Sequence, residues 1–120
     1  MDVLGYCQEG RTQMKTEKIM CSAIWIKVDH SLHRPTNVDT GVVICGYRHC
    51  NCIEIASMIF TRKEMIGHVQ GFLTNNNRFV DRVEAKKIAE SCGQMLHASR
   101  KSELYSEDVW LIGYEGEQYE

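Results

Sequence analysis

The sequence predicts an α+β domain, a small and mostly antiparallel sheet with two main helices packed on one side of it. Three observations point there. Apolar residues fall at helical spacing in two separate stretches, and β-branched or alternating runs surround them. The resulting order is β, β, α, β, turn, α, with a possible last strand, which suits helices segregated to one face of an antiparallel sheet. No glycine-rich phosphate loop links a strand to a helix, so a doubly wound βαβ fold is disfavoured. At 120 residues the chain reads as a single domain over 1–120.

Residues 1–16 are weakly patterned. Met14 precedes KTEK in the manner of an ordinary start, so residues 1–13 read as an N-terminal extension. Lys18 to Asp29, KIMCSAIWIKVD, is apolar on both alternating faces and reads as a well-covered strand. His30 to Asp39 is a loop carrying Pro35, the one proline. Thr40 to Tyr47, TGVVICGY, is a second β-branched run and a neighbouring strand. In RHCNCIEIASMIF, Cys52, Ile55, Ala56 and Ile59 share a helical stripe, with Asn51 a candidate N-cap. Thr61 and Glu64 have capping-box spacing, which predicts a further short helical turn that Gly67 stops.

Val69 to Leu73 is a strand. Asn75, Asn76 and Asn77 suit a turn, since Asn tolerates left-handed backbone, and a short extended run follows. Asp81 and Glu84 again have capping-box spacing, and Ala85, Ile88, Ala89, Cys92 and Leu96 form one stripe of a helix. HASRKSE is a linker. Val109 to Tyr114 is an apolar run, either a strand or a packed tail.

Composition narrows the function classes. A hydrophobic share of 43% and a charged share of 25% are ordinary for a globular chain. The net charge of −2 hides an asymmetry, because residues 1–102 hold all 14 Lys and Arg against 10 acids while residues 103–120 hold 6 acids and no base. The acidic tail at 115–120 and the modest basic body argue against a DNA binder, which needs a strongly basic surface to displace counterions. No apolar run reaches the roughly 20 residues of a membrane span, and the N-terminus lacks a signal-peptide pattern. The six cysteines are therefore expected to be reduced thiols in a cytoplasmic setting, mostly serving as small core hydrophobes.

Two constellations suit an anionic ligand. Around the helix start at 78–82, Arg78 and Arg82 offer forked guanidinium groups, and Phe72 and Phe79 offer flat faces for a base. A helix start adds unpaired N–H groups and partial positive charge. Asn77 and Asp81 are weaker candidates for sugar or base contacts. Each residue also has a plain structural reading: core rings, a cap, and an arginine paired with a nearby carboxylate. The second constellation is the strand-to-helix junction Gly46–Asn51, where Arg48 suits a phosphate and Asn51 a base edge or sugar hydroxyl, or simply a cap beside an exposed His49.

Metal and catalytic signals are weaker. His30-x-x-His33 and Cys50-x-Cys52 provide ligand types without a zinc spacing, so no metal or cofactor is expected. No recognisable signature surrounds Cys50, Cys52 or Cys92, and Glu107-Asp108 more simply begins a turn, so no catalytic residue is assigned.

The run QGFLTNNNRFVDRVEAKKIAESCGQ, with MKTEKIMCSAIW upstream and LYSEDVW downstream, resembles the first class of phage Thoeris anti-defence proteins over residues 14 to 110. The resemblance implies a sponge rather than an enzyme. Such a protein binds a cyclic ADP-ribose isomer made by bacterial TIR-domain enzymes, leaves it intact, and keeps it from the immune effector in the host cytoplasm. It also implies a homodimer or higher homo-oligomer with pockets where protomers meet, Phe72 and Phe79 as stackers, and Arg48, Arg78 and Arg82 as phosphate ligands. The alternatives are a small nucleotide-processing enzyme and a protein-interaction module.

Overall fold

A computed structural model describes residues 16–32, 34–98 and 100–109. The N-terminal extension with Cys7, His33 of the histidine pair, all but the first residue of the Val109–Tyr114 run, and the acidic tail lie outside the described residues. The elements run β1 (Ile19–Ile26), β2 (Ser31–Leu32), β3 (Gly41–Gly46), α1 (His49–Ile59), β4 (Val69–Thr74), β5 (Phe79–Asp81) and α2 (Arg82–Ser91), followed by a single 3-10 turn at Ser106–Asp108. The strands form one sheet in the order β2-β3-β1-β4-β5. All pairings are antiparallel except β2 with β3, which is parallel. The fold is thus α+β with a mixed, mostly antiparallel sheet. Strand β2 falls in the stretch read as a loop. Its two residues are both exposed and too few to show a period.

Register decides which face each side chain joins, because successive residues of a strand alternate. Ser22 stands opposite both Gly46 and Phe72, and Phe72 opposite Val80. Ile24, Ile26, Phe72 and Val80 therefore share one face. Both helices lie on it. Cys52 and Ala56 of α1 pack with Ile24, Ile26 and Val42, while Ala85 and Ala89 of α2 pack with Ile19, Phe72 and Val80. Small residues at these helical positions let the backbones approach the sheet closely. On the opposite face Ala23, Trp25, Val43, Leu73 and Phe79 cluster beneath Val38 of the 34–40 loop. The apolar character of both faces of β1 follows from this double cover.

The hairpin between β4 and β5 turns as its asparagines suggest. Asn77 adopts a left-handed φ of 58°, and the chain closes with Asn77 N–H donating to the Thr74 carbonyl at 3.0 Å. The outer edge of β5 is sealed by a side chain. Asn37 Nδ2 donates to the Phe79 carbonyl at 2.7 Å and Asn37 Oδ1 accepts the Phe79 N–H at 2.8 Å, so one amide mimics a further strand. At Gly71 an added Cβ would lie 2.1 Å from the Val80 carbonyl oxygen, so only glycine lets β4 and β5 come this close.

Helix ends follow local chemistry with two corrections. Asp81 caps α2, its Oδ1 accepting the Glu84 N–H at 2.8 Å. The α2 stripe was expected to reach Leu96. The helix stops at Ser91 instead, because Gly93 takes a left-handed φ of 77° and Gln94 N–H closes on the Ala89 carbonyl at 2.9 Å. Asn51 is not the N-cap of α1. Arg48 holds that place, and Asn51 reaches back three residues so that its Oδ1 accepts the Arg48 N–H at 3.0 Å. Thr61 and Glu64 do form a reciprocal capping box at 2.8 and 3.1 Å, and the short turn it opens, with Met65 N–H donating to the Thr61 carbonyl at 3.2 Å, ends at Gly67, whose φ is 79°.

Phe72 is fully buried between the sheet and the helices. Replacing it with alanine removes that packing and leaves a cavity, so Phe72→Ala should lose about 3–5 kcal/mol of stability. Urea unfolding checks this, and a loss under about 1 kcal/mol would show that the site collapses or that the ring is not core.

Candidate functional site

The eight candidate residues fall into three places. Asn77 and Arg78 lie at the turn of the β4–β5 hairpin. Phe72 and Phe79 lie within the sheet, and Arg48, Asn51, Asp81 and Arg82 lie at the two helix starts.

The rings occupy opposite faces. Leu73 stands opposite Phe79 and Phe72 opposite Val80, so adjacent strands send the two phenylalanines apart. Phe72 is sealed under the helices, edge-on to the His49 ring with centroids 4.9 Å apart. Phe79 is 7% exposed and packs edge-on against Trp25. The two rings cannot sandwich one base, and each serves a core cluster here.

Arg78 is engaged twice. Its Nε and Nη2 donate to the two oxygens of Glu17 at 2.9 and 3.1 Å, and Nη2 also donates to Glu84 Oε2 at 2.7 Å. Glu17 further accepts the Thr74 hydroxyl at 2.7 Å. The arginine thereby clamps the residues before β1 to the hairpin turn and to the first turn of α2. Its guanidinium holds the Glu17 carboxyl below the usual carboxylate range.

At the other end of the hairpin the geometry is different. Arg82, the first residue of α2, turns back over the sheet. Its Nη2 donates to Gln70 Oε1 at 2.6 Å and approaches His49 Nδ1 at 3.4 Å, and its Nη1 donates to the Leu104 carbonyl at 2.8 Å. The guanidinium stacks over the Tyr105 ring at 4.8 Å. Arg48, from the start of α1, donates Nη1 to the Ser106 carbonyl and lies over Tyr47 at 4.9 Å. The two helix starts and the 104–107 segment thus bring two arginines together.

His49 is the buried hinge of this cluster. A carbonyl only accepts, so Nε2 must carry the proton it donates to Gly71 O at 2.7 Å, leaving Nδ1 as the acceptor facing Arg82. Burial lowers the His49 pKa, the Gly71 bond opposes this, and the Arg82 charge lowers it further. The sequence reading of an exposed His49 is corrected, since the ring is packed on Phe72 and the residue is buried.

Two recesses flank Arg82. The larger, about 490 Å³, is lined by His68, Val69, Gln70, Asp81, Arg82, Val83 and Glu103. It falls in the size range of small-molecule sites. The smaller, about 140 Å³, is lined by Arg48, His49, Cys50, Arg82, Tyr105, Ser106 and Glu107, and holds no more than a fragment of a nucleotide. Cationic groups and helix N-termini face both, while Asp81, Glu103 and Glu107 place carboxylates on the rim. Asp81 and Asn51 are exposed and spend their side chains on the caps already described. Among the described residues no cluster of three or more His, Cys, Asp or Glu gathers as a metal site, and no helix is long and apolar enough to cross a membrane.

Gln70, His49, Tyr105 and His68 were not assigned roles from sequence. Gln70 carried a signal. It shares the alternation of Phe72 and Thr74, so a polar amide stands on the core-facing side of an otherwise apolar run.

Two outcomes test this assignment. Arg78→Ala should cost on the order of 1–2 kcal/mol, the value of a charged hydrogen bond discounted for partial exposure. Glu17 has a depressed folded pKa, so its contribution is complete above the ordinary carboxylate pKa of 4.5 and is lost as pH falls through the folded value. Wild-type and Arg78→Ala stabilities should therefore converge in acid, and a gap that persists at pH 2 would mean that the clamp is not electrostatic. His49 also has a depressed folded pKa, so its contribution is complete above 6.5 and falls away as pH drops through the folded value. Thermal unfolding from pH 8 to pH 5 should show that loss in the wild type and a flatter profile in His49→Gln. Parallel profiles would refute the assignment.

No curated protein and no solved structure matches the chain. The family model described as phage T4 y16D protein matches residues 18–110, which takes in every element from β1 through the 3-10 turn. With most of its length inside that match, the chain belongs to the phage T4 y16D protein family.

Proposed function

We propose that this phage-family protein binds a TIR-produced cyclic ADP-ribose signal and withholds it uncleaved in the cytoplasm of the infected host, which blocks Thoeris immunity. The observation that carries the reading is the convergence of Arg48 and Arg82, from two different helix starts, on recesses that share Arg82. A pyrophosphate needs fixed, forked cations, and a guanidinium cannot be neutralised near neutral pH. Among the described residues, the Arg48 guanidinium spends one of its N–H groups on a hydrogen bond, to Ser106, and so keeps donors for an anion. Tyr105, a ring already approached by Arg82 and Lys101, lines the smaller recess, which the two buried phenylalanines do not. The Gln70 amide nitrogen, whose oxygen is taken by Arg82, suits a ribose hydroxyl or a base edge in the larger recess.

The resemblance of the GFLT, RFVDR and LYSEDVW segments supports the same ligand class and a homodimer or higher homo-oligomer. In that reading the rim carboxylates face the sugars, and a second protomer closes the open side of the recess.

Isothermal calorimetry with the cyclic ADP-ribose isomer, followed by heating and chromatography of the released ligand, is the decisive experiment. The expected result is a stoichiometric heat of binding and recovery of intact ligand. Arg48→Ala should weaken binding about tenfold, on the order of 1.4 kcal/mol, with its melting temperature close to wild type. Absence of heat would overturn the reading, and turnover at substoichiometric protein would make the protein an enzyme. A captured acidic protein partner with no nucleotide response would make it an interaction module.

A further inference from the structure

The sheet face turned away from the helices carries a second chemistry. Ala23 stands opposite Cys45 and Ser22 opposite Gly46, which is the last rung between β1 and β3. Cys21 therefore lies one residue past that rung, on the same face as Cys45 and diagonal to it. Cys45 is exposed and Cys21 half-buried. Across that diagonal the two thiols influence each other: Cys21 lowers the Cys45 pKa, while Cys45 and burial raise that of Cys21.

Diagonal neighbours ordinarily sit about 7–8 Å apart at Cα, just past disulfide reach, so closure requires a small backbone movement. Two local features supply slack here. The β1–β3 ladder has already ended at Ser22, so β3 does not hold the backbone of Cys21. The pairing of β1 with β4 is also irregular between Ile19 and Cys21, where a residue is bulged out of register. A short inward shift of Cys21 thus disturbs no rung with β3 and strains only its rung with Leu73 of β4, beside the irregularity.

We propose that Cys21 and Cys45 are an oxidisable pair that closes into an intramolecular disulfide when a small-molecule disulfide such as oxidised glutathione is present. The Cys45 thiolate attacks one sulfur of glutathione disulfide, the S–S bond breaks, and one glutathione leaves as its thiolate. Cys21 then loses its proton to water and attacks the Cys45 sulfur of the mixed disulfide, expelling the second glutathione. Two protein thiols are oxidised and one glutathione disulfide is reduced to two thiols. The bond closes the chain segment 21–45, which contains β2 and the loop whose Val38 covers Phe79 and whose Asn37 seals the edge of β5. The other described cysteines differ in setting. Cys52 is buried and its thiol is pushed up to about 11 by that burial, and Cys92 lies within hydrogen-bonding distance of the Gln94 side chain at 3.0 Å.

The test uses the full chain with all six cysteines. The protein is incubated with excess oxidised glutathione, excess reagent is removed, and intact mass and a non-reduced peptide map are recorded. The expected result is loss of the mass of two hydrogens, a Cys21–Cys45 cross-linked peptide, and reversal by dithiothreitol. Cys45→Ser alters an exposed side chain, so it folds, and it should abolish the mass loss. Cys50→Ser should leave the loss intact. Glutathione adducts alone, a cross-link through any other cysteine, or wild-type oxidation in Cys45→Ser would overturn the proposal.

Discussion

Arg82 is the group on which the arrangement of the site depends. A single planar guanidinium joins the start of α2 to Gln70 on β4, to His49 at the start of α1, and to the Leu104 carbonyl of the last described segment. Leu104 N–H returns the contact by donating to the Arg82 carbonyl at 2.9 Å. Lysine could not replace this. Its ammonium is a point charge and lacks the fork that meets two acceptors in one plane. The cost of bringing a charge close to the sheet is offset by acceptors and by the Tyr105 ring. The guanidinium remains in the lining of both recesses, so the same group that builds the site is available to it.

His49 shows why such a cluster needs a neutral imidazole. Its donor nitrogen satisfies the Gly71 carbonyl, at the position where the β4 backbone has no side chain and β5 crowds in. Its other nitrogen faces a permanent cation. A proton on that buried ring would oppose Arg82, so burial and charge act together. Gly71, His49 and Arg82 thereby form one dependent chain: the tight approach of β5 to β4, the imidazole orientation, and the guanidinium position.

RFVDR contains two arginines with different fates. Arg78 precedes β5 at the turn, and Glu17 and Glu84 take it up as a clamp. Arg82 follows β5 at the opposite end, where the helix starts meet. Spacing alone treats the two as equivalent partners for phosphate. What separates them is the three-residue strand between, which carries them to opposite ends of the hairpin. The phenylalanines diverge for a related reason. Phe72 and Phe79 look like a matched pair in sequence, but neighbouring strands in this register send them to opposite faces of the sheet. The thiols show the converse. Cys21 and Cys45 are 24 positions apart in sequence, and the register of β1 with β3 brings them together.

The α+β class, both helices, the three longer strands and the asparagine turn were legible because each rests on local chemistry: periodicity, capping spacing and left-handed tolerance. Asp81 and Glu84 announced the start of α2 to the residue. Two cationic groups beside helix starts, Arg48 and Arg82, were legible as well. The parallel pairing of β2 and the stop of α2 at Ser91 were not, since they turn on neighbours far along the chain or on single backbone angles, and Asn51 was misplaced by three residues within its own cap. Local sequence by itself determined the elements and the kind of chemistry on offer. Strand register and helix placement, which come from burying apolar surface across distant segments, decided which arginine clamps the fold and which faces a cavity, and which rings are core.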